Sequence, residues 1–166
     1  MTSLCYNSPI GPLLIKEEDG KIIEISFMEA DTREKFSSKA QPDSNSGDAL
    51  ATSACITACI KELDAYFAGK LKKFTVSIKL TGTDFRMKVW DALMTIPYGE
   101  TISYKQLAER IENPSAIRAV GGANHNNPIS IIVPCHRVIG ADGKLVGYGG
   151  GMDNKTFLLE LEKMYV

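Results

Sequence analysis

Apolar and polar positions alternate early in the chain. Pro12-Leu13-Leu14-Ile15-Lys16 runs into acidic residues and Asp19-Gly20, and a second run, Lys21-Ile22-Ile23-Glu24-Ile25-Ser26-Phe27-Met28, follows. An Asp-Gly pair between two such runs predicts a hairpin, because both turn positions tolerate positive φ. Residues 37–47 are polar and rich in Ser, Asn, Asp and Pro, which predicts a surface loop. Asp48 is placed to cap a helix whose apolar stripe runs Leu50, Ala54, Ala58, Leu63 and Phe67, with Gly69 at its end. Phe74 to Leu80 alternates again and predicts a strand. The turn Thr81-Gly82-Thr83-Asp84 divides the chain into two expected domains, 1–82 and 83–166.

Beyond that turn the period lengthens. Phe85, Val89, Leu93 and Met94, with Trp90 beside them, predict a helix that ends before Pro97-Tyr98-Gly99. Thr101 to Arg110 predicts a second helix, capped by Ser103. Glu112-Asn113-Pro114 is a turn, and Pro114 opens a third helix over Ser115 to Ala123. Helix, short turn and helix together outline a helix-turn-helix. Ile129 to Val133 reads as a buried strand that stops at Pro134. A Gly-rich stretch follows, then a last helix over Asn154 to Met164 with Phe157, Leu158 and Leu161 as its stripe. Strands with one helix first and helices afterwards give an α/β (α+β) class.

Composition narrows the function classes. The 166 residues are 44% hydrophobic and 23% charged, ordinary for a globular protein. No apolar run approaches the roughly 18 residues of a membrane span. The first residues lack the basic and apolar regions of a signal peptide, so an intracellular place is expected. The net charge of −1 excludes a uniformly basic nucleic-acid binder. A mildly basic second half remains: residues 85–150 carry seven Lys or Arg against five acids. Cys5, Cys55, Cys59 and Cys135 are expected to be free thiols. Cys55 and Cys59, four apart on one helix face, read as small core residues. His125 and His136 are the only histidines, so no metal site is expected.

The chemistry gathers after residue 133. The Ile129–Val133 run delivers Cys135-His136-Arg137. A thiol beside an imidazole and a guanidinium is a candidate nucleophile, because the thiolate is the reactive form and those neighbours favour it. The longer string Pro134-Cys135-His136-Arg137-Val138 resembles the active-site motif of the O6-alkylguanine-DNA alkyltransferases, the methylated-DNA–protein-cysteine methyltransferases. Phe85, Val89-Trp90, Ala92-Leu93, Ile96-Pro97, Gly99, Thr101 and Ser103-Tyr104 resemble the family's run up to its helix-turn-helix. Arg118-Ala119-Val120-Gly121-Gly122-Ala123 with Asn127-Pro128 resembles its recognition helix and the turn after it. Gly147-Tyr148 and Lys155, Phe157, Leu158, Leu159 and Glu162 resemble its C-terminal end. The likeness is dense over 84–162 and looser before it, where Leu63, Tyr66, Phe67 and Gly69 fit the N-terminal domain.

The resemblance implies a ribonuclease H-like N-terminal domain and a C-terminal domain with a winged helix-turn-helix-like motif. It implies DNA repair by direct reversal: an O6-alkylated guanine is flipped out of duplex DNA and its alkyl group moves irreversibly to Cys135. Action on O4-alkylthymine stays open. Extrusion is needed because a stacked base hides its substituent. His136 would take the thiol proton through a water, and Glu162 would accept from the other ring nitrogen. Asn127 would tie the turn to the active-site segment. Tyr104 would protonate the departing guanine at N3; otherwise it packs on the third helix. Arg118 would fill the gap in the stack, or contact a phosphate. Ser103, Tyr104, Arg118, Ala119 and Gly122 would meet DNA, with the small residues permitting close approach to a groove. Val138, Tyr148 and Gly149 would line the substrate pocket with Cys135. Arg137 would bond main-chain carbonyls around the site. His125 gets no role. The resemblance implies no cofactor, a monomer acting on double-stranded DNA, no membrane, and a cytoplasmic or, in a eukaryote, nuclear place. A Cys-His hydrolase would leave the helix-turn-helix and Arg118 without purpose. A DNA-binding regulator would leave Cys135 without one.

Overall fold

The computed structural model describes residues 1–29 and 53–166. The expected loop over 37–47, Asp48 and Leu50 lie outside them. Three antiparallel strands open the chain: β1 (Thr2–Ser8), β2 (Gly11–Glu18) and β3 (Lys21–Phe27), in the order β1-β2-β3. The hairpin falls at Asp19 and Gly20, with φ 52° and 74°, between the paired Glu18 and Lys21. Alternation places Leu13 and Ile15 on the buried face, and a register shift opposite Lys16 and Glu17 lets Ile22 and Ile25, three apart, both join them.

Helix α1 (Ala54–Phe67) covers that face. Ser53 caps it by accepting from the Ile56 N–H at 3.0 Å. Its buried stripe is Ile56, Cys59, Leu63 and Tyr66, whereas Ala54 and Ala58 face solvent. The expected stripe is therefore rotated, because Ile56 and Tyr66 remove far more apolar area from water than two alanines do. Cys59 is buried, which pushes its thiol up to about 12, and Cys55 is half-buried.

The expected strand at 74–80 is reduced to one bridge, Ile22 to Ile78. The Glu62 carboxylate takes the Thr75 and Val76 N–H groups at 3.0 and 3.1 Å, so those donors never enter a ladder. Thr83 caps α2 (Asp84–Leu93), which buries Val89, Trp90 and Leu93. Met94 caps its C-terminus and is exposed.

The second expected helix starts late. Ile102–Ser103 forms β4, paired in parallel with β5 (Val138–Ile139), and α3 spans Tyr104–Arg110. Ser103 caps it in a reciprocal box: its hydroxyl accepts from Gln106 N–H at 3.0 Å, and Gln106 accepts from Ser103 N–H at 2.8 Å. Helix α4 is Ile117–His125, so Pro114 and Ser115 belong to the preceding turn. There the Ser115 hydroxyl donates to Asn113 at 3.2 Å and caps nothing. Trp90 Nε1 donates to the Ala123 carbonyl at 2.9 Å and locks α4 onto α2.

Ile129 to Val133 is buried as expected but is not a strand. It touches β3 through Ile25 N–H to Pro128 O (2.9 Å) and Ser130 N–H to Ile25 O (3.0 Å), then folds on itself through Val133 N–H to Ile129 O (3.0 Å). Ile131 sits at φ 73°, an unfavourable place for a β-branched residue. This reversal leads the chain into a single 3₁₀ turn, Cys135–Arg137. Helix α5 (Met152–Met164) closes the fold. Its buried residues are Lys155, Leu158 and Glu162; Phe157 is exposed and Leu161 half-buried. The charged pair displaces the expected apolar stripe because each partner finds complementary groups inside. Among the described residues no helix is long and apolar enough to cross a membrane, and no cluster of three metal-ligating side chains occurs.

Candidate active site

The 3₁₀ turn aims three consecutive side chains into the fold. Cys135 is 5% exposed, His136 0% and Arg137 7%. Cys135 forms part of the wall of a cavity of about 380 Å³. Tyr104 from α3, Arg118 and Asn124 from α4, and Tyr148 and Gly149 from the Gly-rich loop line the rest. The cavity therefore lies between the thiol and the helix expected to face DNA. Arg118, Ala119 and Gly122 are exposed on α4, and Ala123 and Asn124 face inward. Ser103 is half-buried and spends its hydroxyl on the α3 cap. Val138 does not reach the cavity, contrary to expectation: it is buried and its carbonyl accepts from Lys155 Nζ at 2.6 Å.

The cavity wall is propped from the N-terminal sheet. Phe27, at the end of β3, meets Tyr148 edge-on at 5.8 Å between ring centroids. Gly150 sits so close to the Phe27 ring that a Cβ there would clash with it. Across the cavity, Tyr104 donates to the Val146 carbonyl at 3.2 Å, and Lys155 Nζ donates to the same oxygen at 3.1 Å. Asn127 joins the turn to the active-site segment, donating to Val133 O at 2.8 Å and accepting from Ile129 N–H at 3.0 Å.

Behind the thiol lies a buried charge cluster. His136 Nε2 is 2.7 Å from Glu162 Oε1. Arg137 grips the same carboxylate with two hydrogen bonds, Nε to Oε2 and Nη2 to Oε1, each 2.8 Å. Its third donation goes to the Ile96 carbonyl at 2.7 Å. Tyr66 of α1 donates to Glu162 Oε1 at 2.7 Å, and Gly99 N–H to Oε2 at 3.3 Å. Burial alone would raise the carboxyl pKa, but His136 and Arg137 hold it well below the usual carboxylate range. An anionic Glu162 requires the proton on His136 Nε2. Nδ1, which has no partner among the described residues, is then the basic nitrogen.

Burial lowers His136 below its ordinary 6.5, with Glu162 opposing, so the imidazole is neutral at neutral pH. Burial likewise raises the Cys135 thiol above its ordinary 9.0, against the Asn127 side chain, the Lys155 charge and nearby backbone N–H groups. The cysteine thus rests as a thiol beside a neutral base, rather than as a preformed thiolate. Lys155 is fully buried, and that burial pushes its amine below its ordinary 10.5, with the nearby Cys135 opposing.

Lys155, Tyr66, Asn124 and His125 stand at this site without a role assigned from the sequence. Lys155 stands within the C-terminal motif, but a helical lysine ordinarily faces water. Tyr66 stands within the N-terminal pattern, 96 positions from Glu162. Asn124 carries no signal; it is 5% exposed and donates to the Cys135 carbonyl at 3.4 Å. His125 also lines the cavity.

A cavity bounded by a helix-turn-helix, with a thiol in its wall and an imidazole and a carboxylate buried behind that thiol, defines a cysteine-dependent protein with a nucleic-acid-binding shape. Comparison with known proteins gives the family. The model for "6-O-methylguanine DNA methyltransferase, DNA binding domain" matches residues 84–164, and that for the same family's "ribonuclease-like domain" matches residues 2–80. The chain belongs to the 6-O-methylguanine DNA methyltransferase family. It is 49% identical over 157 residues to the methylated-DNA–protein-cysteine methyltransferase of Mycobacterium bovis, covering 95% of this chain and 89% of that protein. It is 46% identical to the one from Methanosarcina acetivorans, with 95% of each covered. The Mycobacterium tuberculosis OGT crystallised in complex with DNA superposes with a TM-score of 0.81 at 46% identity, covering 97% of this chain and 92% of that one.

Proposed function

We propose that this protein repairs DNA by moving the alkyl group of O6-alkylguanine in duplex DNA to its own Cys135, once per molecule. The observation that carries the reading is the placement of Cys135: buried, yet in the wall of a cavity that α4 bounds on its other side. A thiol sealed away from α4 could not meet a base extruded from a helix bound there.

The chemistry follows from the resting protonation states. The damaged base enters the cavity with its O6-alkyl carbon toward Cys135. The thiol proton passes through a bridging water to His136 Nδ1. Glu162 stabilises the imidazolium that forms, and Lys155 favours the thiolate. Sulfur attacks the alkyl carbon, the carbon–oxygen bond breaks, and its electron pair leaves on guanine. Tyr104 delivers a proton to N3 of the departing base, so the product is neutral guanine. The thioether on Cys135 is stable, and the enzyme is spent. Arg118, exposed at the start of α4, takes the place of the extruded base or holds a phosphate. Ala119 and Gly122 let α4 approach the groove. Asn127 keeps the turn in register with the active-site segment. Gly149 and Tyr148 enclose the base.

The domain boundary near residue 82 divides a supporting unit from the unit that holds the thiol. Double-stranded DNA as partner implies a cytoplasmic place, or a nuclear one in a eukaryote. Mixing the protein with a duplex carrying O6-methylguanine tests the reading by mass spectrometry. One added methyl on the peptide that contains Cys135, with unmodified guanine left in the duplex, is the expected result. Repeated turnover, or a methyl elsewhere, refutes it.

A further inference from the structure

Among its described residues, the ribonuclease-like domain presents the Tyr66 hydroxyl to the active-site cluster. Tyr66 is the penultimate residue of α1 and is fully buried. Its ring packs among Phe67 and Phe74, each at 5.4 Å, and Tyr98 at 6.2 Å. Only its hydroxyl leaves this aromatic cage, to donate to Glu162 Oε1 at 2.7 Å. That oxygen is the one 2.7 Å from His136 Nε2. With Arg137 Nη2, also 2.8 Å from it, three donors share this one acceptor. Arg137 already fixes the carboxylate with two bonds, so Tyr66 is not needed to hold it in place.

We propose that Tyr66 is a positioning residue through which the N-terminal domain sets the basicity of His136: its hydroxyl draws charge from Glu162 Oε1 and keeps the imidazole neutral until substrate arrives. This rests on the function proposed above, in which His136 is the base. A carboxylate oxygen shared with a phenol stabilises an imidazolium less than one that serves the imidazole alone. Without the hydroxyl, His136 holds its proton to higher pH. The other groups facing the pair are Arg137 and Cys135 from the 3₁₀ turn, Lys155 from α5, Tyr98 from the turn before β4, and Tyr148 from the Gly-rich loop. Burial keeps the Tyr66 phenol protonated, so it remains a donor throughout the working range.

The chain has two histidines, so a carbon-13 label at the imidazole Cε1 gives two signals, with exposed His125 as an internal control. The measurement is the titration of both signals in the full-length protein, alongside the single-turnover methyl-transfer rate from pH 5 to 9. In Tyr66→Phe, the His136 signal is expected to titrate about one pH unit higher than in wild type, with His125 unmoved. The acid limb of the rate profile moves up with it, while the rate on the alkaline plateau changes less than about threefold. Leu63→Ala, which loosens the same helix without touching the carboxylate, lowers the melting temperature and leaves both titrations in place. Replacing Tyr66 by 3-fluorotyrosine, a stronger donor that keeps the ring, moves the His136 signal the opposite way. This arm decides the matter if Tyr66→Phe does not fold. His136 signals that coincide with wild type at every pH overturn the proposal, even if the rate drops uniformly. Absence of methyl transfer by the wild-type protein refutes the repair reading instead, and the two failures are told apart because the titration needs no substrate.

Discussion

The two halves of the molecule bury different things. Around the sheet and α1, the interior is mostly aliphatic, with Leu13, Ile15, Ile22, Ile25, Ile56 and Leu63, and its buried carboxylate, Glu17, accepts from the hairpin Gly20 N–H. Around the 3₁₀ turn and α5, it includes His136, Arg137, Lys155 and Glu162. The first core is held by area removed from water, and its parts are interchangeable in kind. The second is held by the Arg137–Glu162 ion pair and by hydrogen bonds from His136 to Glu162 and from Lys155 to main-chain carbonyls, and a charge there costs several kcal/mol, on the order of 5, to desolvate unless those partners are present. A single substitution in the apolar half therefore leaves a cavity, whereas one in the charged half leaves an orphan. The charged cluster is the part that does chemistry, and the apolar half holds it still while lending it Tyr66 and Phe27.

The sharpest way to break this contrast is Glu162→Gln. It leaves the buried Arg137 guanidinium without its counter-ion and is expected to cost about 3–5 kcal/mol in urea unfolding. It also removes the group that stabilises the His136 imidazolium, so methyl transfer falls by about a hundredfold or more. Leu63→Ala should lower stability by about 2–5 kcal/mol. Its transfer rate, measured well below the unfolding transition, should stay near that of wild type. Equal losses of activity in the two variants would erase the distinction between the halves.

The gentlest probe is pH. His136 and Glu162 both have folded pKa values below their unfolded ones. The unfolded chain then binds more protons, and stability falls on acidification. The His136 contribution is complete above its ordinary 6.5 and is lost below it; the Glu162 contribution follows below 4.5. Urea midpoints of wild type and Glu162→Gln should converge as pH drops through that second range. Midpoints that stay parallel would remove Glu162 as the linked group.

Much of this was legible from residue order. The Asp19-Gly20 hairpin, α2 and the helix-turn-helix follow from period and turn chemistry, which are local. The Cys135-His136-Arg137 string named the reactive group, and the pattern around it named the family. The errors fall where a local rule met a distant partner. Phe74–Leu80 has a strand's alternation, but Glu62 captured its donors. Ile129–Val133 has a strand's composition, but it reverses at Ile131. Phe157 and Leu161 have the apolar character of an inward face, but Lys155 and Glu162 took that face.

Residue order by itself determined most of which elements form, where they turn, and which sulfur is the candidate nucleophile, because propensity, period and motif act over a few neighbouring positions. Only the tertiary structure decided that the thiol rests protonated, that Val138 turns its carbonyl to Lys155 and that Tyr66 reaches Glu162. Those outcomes depend on desolvation and on partners up to 96 positions away, and both exist only once the chain is packed.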